Sequence, residues 1–152
     1  MSASSALCRS LAAGLALAST AALAAQQPAP PRATDASPPV EVTISQDGGS
    51  TRCEPANLRL PAETDVTLTL VNESGLPATV TAPKMFENRQ ILHHDGGLAH
   101  IANESGFTVR PSTRGEVKLR TLAPGEYDFS CATTRNQGTP SRGKLVLVAP
   151  NQ

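Results

Sequence analysis

Apolar side chains in this 152-residue chain recur at every second position, not at every third or fourth. Val40, Val42 and Ile44 alternate with polar neighbours, as do Leu58 and Leu60, then Val66, Leu68 and Leu70, then Val117 and Leu119, then Leu145 and Leu147. Successive side chains of a strand point to opposite faces, so this period predicts half-buried sheets. Turn chemistry separates the runs: Asp47-Gly48-Gly49, Asn72-Glu73-Ser74-Gly75, Asp95-Gly96-Gly97, Asn103-Glu104-Ser105-Gly106 and Pro124-Gly125. Strands punctuated in this way, about seven of them, predict an all-β sandwich. The two Asn-Glu-Ser-Gly tetrads have unlike flanks, so shared turn chemistry accounts for them and no internal repeat is assigned.

The segments before Val40 have a different composition. Residues 1–24 read as a secretory signal peptide: Arg9 gives a positive start, an Ala/Leu-rich run follows over 11–23, and Ala22-Leu23-Ala24 supplies the small-x-small pattern of a cleavage site. The run is too short to span a membrane comfortably, and Cys8 precedes it. A soluble, exported chain without stable membrane insertion is expected. Residues 25–39 hold five prolines and almost no apolar side chains, which predicts an extended Pro-rich linker. The folded domain is expected over 40–150. An Ala-rich signal reads as bacterial, which places the protein in the periplasm through the Sec pathway and gives the sequons at Asn72 and Asn103 little meaning.

Removing Arg9 with the signal leaves 12 basic against 13 acidic side chains, and the whole chain has one Tyr, three Phe and no Trp. No basic stripe with interleaved aromatics exists, so nucleic acid is excluded as a partner. The serines and threonines form no nucleophile elbow, and no Gly-rich loop opens a helix, which sets aside hydrolase and nucleotide chemistry.

Two stretches carry the chemistry. Pro124-Gly125-Glu126-Tyr127-Asp128-Phe129-Ser130-Cys131 is a turn feeding an alternating strand, with Tyr127, Phe129 and Cys131 on one face and Glu126 and Asp128 on the other. If the aromatic face is buried, those two carboxylates point to solvent. Residues 82–101 break the rhythm: residues 84–92 are expected to form a helical turn within one long loop, and all three histidines, His93, His94 and His100, fall within eight residues. Long irregular segments in small sandwiches tend to be functional or disordered.

Taken together, Cys53-Glu54-Pro55, Leu60-Pro61-Ala62, Val71-Asn72 and Pro124-Gly125-Glu126-Tyr127 leading to Cys131 resemble the cupredoxin-like domains. They are most similar to the EfeO-type domains of bacterial periplasmic iron uptake. The resemblance covers about 40–148 and implies a Greek-key β-sandwich with a metal-related role, copper or iron being the ions at issue. It implies iron-uptake components or a permease as partners, and any enzymatic role no greater than a ferroxidase-like redox step. The sequence also departs from the pattern. After Cys131 no histidine or methionine follows through Leu145, although blue-copper members complete their site there. Where those members open a strand with a liganding histidine, and EfeO-type members often carry carboxylates, this chain has Pro77-Ala78-Thr79-Val80-Thr81.

The resemblance also makes Cys53 and Cys131 neighbours, with three readings open: a structural disulfide suited to an oxidising compartment, metal-binding thiolates, either paired on a soft ion such as Cu(I) or one joined by imidazole to hold Cu(II) or iron, or two inert thiols. Replacement metal ligands would come from Met85, His93, His94 or His100, with Glu54 as an oxygen donor beside Cys53. The bland alternatives are a solvated histidine loop and Met85 as a core plug. Arg135, Arg142 and Lys144, taken as a loop after Cys131, offer an acidic partner little more than scattered solvated charge. Two functions compete: a periplasmic copper- or iron-binding protein that assists iron oxidation or delivery, and a metal-free, disulfide-stapled module for binding or scaffolding.

Overall fold

The period-two runs are strands in a computed structural model that describes residues 40–149; the signal-peptide and linker expectations lie outside the described residues. The strands are β1 (Val40–Asp47), β2 (Ser50–Glu54), β3 (Asn57–Pro61), β4 (Asp65–Asn72), β5 (Ala78–Thr81), β6 (Ile91–His94), β7 (Leu98–Ile101), β8 (Gly106–Val109), β9 (Arg114–Arg120), β10 (Gly125–Thr133) and β11 (Ser141–Val148). They form two sheets, one ordered β2-β1-β4-β9-β6 and the other β3-β11-β10-β5-β8-β7. Most neighbours are antiparallel, but β1 runs parallel to β4 and β3 parallel to β11. The all-β sandwich expected from the sequence is therefore present, with eleven strands where about seven were anticipated.

Every full alternation in the sequence maps to an inward face. Val42, Ile44, Leu58, Leu60, Val66, Leu68, Leu70, Val117, Leu119, Leu145 and Leu147 are all buried between the sheets. The β1–β2 hairpin turns on Gly48 and Gly49, both at positive φ (56° and 91°). That geometry suits the tight two-residue hairpin that a strand's right-handed twist favours, and only glycine adopts it freely.

The interval 82–101 differs from its expectation. No α-helix forms over 84–92. A single helical turn closes when the Phe86 N–H donates to the Ala82 carbonyl (3.0 Å), and further turns follow to Gln90. The histidines then lie on β6 and β7 instead of in an irregular loop. A short 3-10 turn, Ala102–Glu104, comes later. Helix formation needs a sustained apolar stripe, whereas here Met85 and Phe86 point into the core together and the residues around them, Pro83, Lys84, Asn88 and Arg89, are exposed.

Polar ties stitch the two sheets together. Thr51 on β2 and Thr133 on β10 share a hydroxyl contact of 3.2 Å, and the Thr133 N–H donates to Thr51 Oγ1. Asn72, at the end of β4 and 1 % exposed, donates through Nδ2 to the carbonyls of Leu76, Val109 and Arg110. Its Oδ1 accepts from the Ser74 N–H and hydroxyl. Buried amides are retained where all their partners are supplied, as here.

Candidate functional site

β10 presents Phe129 and Cys131 inward, buried to 3 % and 0 % exposure, while Tyr127 is half-buried and its hydroxyl donates to the Ala123 carbonyl. Glu126 and Asp128 are exposed on the opposite face, as the alternation predicts. Asp128 lies 2.7 Å from the Lys144 ammonium. The hydrogen bond and the charge of Lys144 hold the Asp128 carboxyl below its usual 3.8, and Asp128 raises Lys144 above 10.5. Arg142 and Lys144 belong to β11, not to the loop assigned from the sequence; a continuous strand aligns them with β10.

The cysteine face has a definite chemistry. Cys53 on β2 is bonded to Cys131 on β10, with Cα atoms 6.2 Å apart and a sequence separation of 78. β2 and β10 belong to different sheets, so the disulfide is an inter-sheet staple buried in the core. Of the three readings open from the sequence, the disulfide is the one adopted. A disulfide sulfur is not a thiolate, which is the form that ligates metals.

Around Cys131 the cross-strand neighbours are Val80 on β5 and Ser141 on β11. β5 opens with Ala78, which pairs with Thr133. A blue-copper centre needs a thiolate and two imidazoles with a weak axial donor, and this set of a disulfide, methyl groups and hydroxyls does not supply one. Among the described residues, no three His, Cys, Asp or Glu side chains converge as a metal cage requires.

Among the described residues, the remaining sequence-predicted ligands build no metal cage with the cysteines. Met85 is fully buried, 0 % exposed, in the core cluster. Glu54 is exposed at the end of β2 and borders an open cleft of about 740 Å³ with Glu41, Arg52 and Ser141. His100 pairs with Phe107, Phe107 with Val80, and Val80 with Cys131. This row crosses three strand spacings, roughly 14 Å at the usual inter-strand distance. The histidines and the cysteines therefore do not share a site.

At the far edge the histidines are arranged around Phe107, which is 0 % exposed. The His100 ring lies 4.7 Å from the Phe107 ring, tilted by 30°, and the His94 ring lies 5.4 Å from it. His94 and His100 are 6.1 Å apart between centroids. His100 Nε2 is 2.8 Å from the Phe86 carbonyl oxygen. His93 Nε2 lies 3.7 Å from Asp95 Oδ2, with both side chains mostly in solvent. The part played by Phe107 has no local signature, although Gly106-Phe107-Thr108-Val109 alternates; the run is only four residues long and abuts a turn.

The family model for the cupredoxin-like domain matches residues 11–147. No curated protein sequence matches. Among solved structures, auracyanin B superposes with a TM-score of 0.48 at 18% identity, over 72% of this chain and 87% of that one. A multi-copper oxidase from Pediococcus acidilactici gives 0.50 at 14% identity, over 77% of this chain and 27% of that one. A Cu-containing nitrite reductase from Thermus scotoductus gives 0.51 at 11% identity, over 74% and 32%. This chain thus spans about a quarter to a third of the oxidase and reductase chains, and at such identities the likeness is one of fold. With nine-tenths of its length covered by the family model, the chain belongs to the cupredoxin-like domain family.

Proposed function

We propose that the protein is an exported, periplasmic accessory of metal-ion handling, iron foremost and copper next, that presents a cupredoxin-like sandwich to an iron-uptake component or permease. The EfeO-type set of Cys53-Glu54-Pro55, Leu60-Pro61-Ala62, Val71-Asn72 and the 124–131 strand supports that setting. The observation that carries the mode of action is the Cys53–Cys131 disulfide. The strand that delivers a copper thiolate in blue-copper relatives here delivers half of a staple. Delivery or docking is therefore favoured over oxidation, because the donors around Cys131 do not build an electron-accepting copper centre.

The test is iron accumulation in iron-limited medium by a strain lacking this protein, run beside elemental analysis of the purified chain. Reduced accumulation is expected, restored by the wild-type chain. Accumulation equal to that of the parent strain rejects the uptake role.

A second reading is a metal-free, disulfide-stapled module for binding or scaffolding. The open cleft between Glu41, Arg52, Glu54 and Ser141, directly beside the staple, favours it. Dialysis of oxidised, reduced and Cys131→Ser forms against copper, iron and zinc separates the two. Metal retained in near-stoichiometric amount supports handling, and none retained in any form supports the module.

A further inference from the structure

We infer that the edge where β6 and β7 meet is a two-imidazole cation site, with His94 and His100 as ligands for a divalent ion of borderline softness such as Cu(II) or Zn(II). β6 is the last strand of one sheet and β7 the last strand of the other, so the pair spans the open side of the sandwich. The turn at Asp95-Gly96-Gly97 joins them.

His100 is held in one tautomer by its hydrogen bond. A carbonyl oxygen only accepts hydrogen bonds, so the 2.8 Å contact between His100 Nε2 and the Phe86 carbonyl requires Nε2–H as donor. In the neutral ring the lone pair then resides on Nδ1. Imidazole ligands are commonly held in this way, with one nitrogen donating to a carbonyl and the other free to coordinate. His100 is thus oriented as a ligand before any ion arrives.

The spacing of the two rings also suits a shared ion. A metal–nitrogen bond of about 2.0–2.1 Å puts each ring centroid roughly 3.2 Å from the ion, and two rings on one ion about 5–6.5 Å apart. His94 and His100 are 6.1 Å apart, within that span. Phe107, fully buried beneath both rings, fixes the platform. His93 is excluded because consecutive strand residues face opposite ways, and its Nε2 lies toward Asp95 instead.

Among the described residues no third His, Cys, Asp or Glu joins the pair. The other coordination positions fall to water or to a donor from another molecule, which makes the site open and exchangeable, unlike a closed structural cage. Imidazole suits copper, zinc, nickel and iron, and divalent affinity peaks at copper. The physiological meaning of such a site rests on the metal-handling reading above.

The test is Cu(II) titration of the full-length protein, prepared without a histidine tag, by equilibrium dialysis with electron paramagnetic resonance, and Zn(II) titration by dialysis. One Cu(II) per chain with nitrogen hyperfine structure from two imidazoles is expected. Affinity should fall about tenfold or more in His94→Gln and in His100→Gln and stay unchanged in His93→Gln. Binding in His94→Gln equal to wild type overturns the site, as does a wild-type chain that retains neither ion. His94 is exposed, so its variant remains decisive should His100→Gln unfold. If deletion of the protein lowers iron accumulation but a His94→Gln strain accumulates normally and its protein binds Cu(II) as wild type does, the uptake role stands and the histidine site falls. If the deletion strain accumulates normally while the titration behaves as expected, the site stands and the uptake role falls.

Discussion

The two ends of the row Cys131–Val80–Phe107–His100 contrast in every physical respect. At the cysteine end, side chains are buried and covalently joined across the sheets. At the histidine end, β6 is exposed along three of its four residues, Leu92 included, and the polar groups are held by one hydrogen bond and ring packing. The cysteine end occupies the place where family resemblance leads one to look for metal chemistry, yet its atoms are committed to stability. Donors with free lone pairs are found where the family pattern gives no guidance. Position in a fold does not carry chemistry by itself; the protonation and bonding state of the donor atoms does.

Removal of the staple should affect the two ends most unequally. Replacing both Cys53 and Cys131 with Ser should cost about 4 kcal/mol, since the disulfide closes a long loop in the unfolded chain. Urea unfolding of the double variant measures this, and Cu(II) affinity of the still-folded fraction should match wild type because the histidine edge is separate. Phe107→Ala acts from the other end. It removes the ring beneath His94 and His100 and the edge-on partner of Phe86 at 5.2 Å, with an expected loss of about 3–5 kcal/mol. Here Cu(II) binding should weaken together with stability.

Asn72→Ala should cost about 2–3 kcal/mol, as it leaves buried carbonyls at Val109 and Arg110 short of a donor. Thermal unfolding reads the loss, which should spare the cysteine end. The smallest effect belongs to the exposed Asp128–Lys144 pair. A depressed carboxyl contributes stability above its unfolded value near 3.8, and that contribution is lost as pH falls through the lower folded value. Raised Lys144 contributes below 10.5 and loses its contribution as pH rises through the higher folded value. Lys144→Gln should return the Asp128 titration toward 3.8, followed by carboxyl NMR, with little change in unfolding temperature.

How far the sequence revealed this depended on strand length and on how apolar each inward face is. β1, β3, β4, β9 and β11 declare themselves because two or three aliphatic residues alternate in each. β10 follows from the Pro124-Gly125 turn and the alternation that leads to Cys131, whereas β5 follows only from the family resemblance. β2 escapes the aliphatic periodicity because its inward residues are Thr51 and Cys53. β6 and β7 fall within the interval that reads as loop because each is four residues long and β6 buries none of them, and β8 is as short. At the candidate site, the histidine cluster was visible as composition, but its division was not. That His94 and His100 act together while His93 turns away depends on which strand of which sheet each occupies, a long-range pairing that local patterns do not encode.

The parallel pairing of β3 with β11 has a consequence for the order of events during synthesis. β11 lies between β3 and β10, so the second sheet has no continuous hydrogen-bonded path from β3 to β10 until residues 141–148 have been made. A nascent chain lacking them exposes the edges of both strands and cannot close the sandwich. Folding is thereby deferred until nearly the whole domain is available, and such distant pairings also form slowly. β11 thus acts as the latch of its sheet, and loss of these last residues is felt at β3, at the opposite end of the domain's sequence.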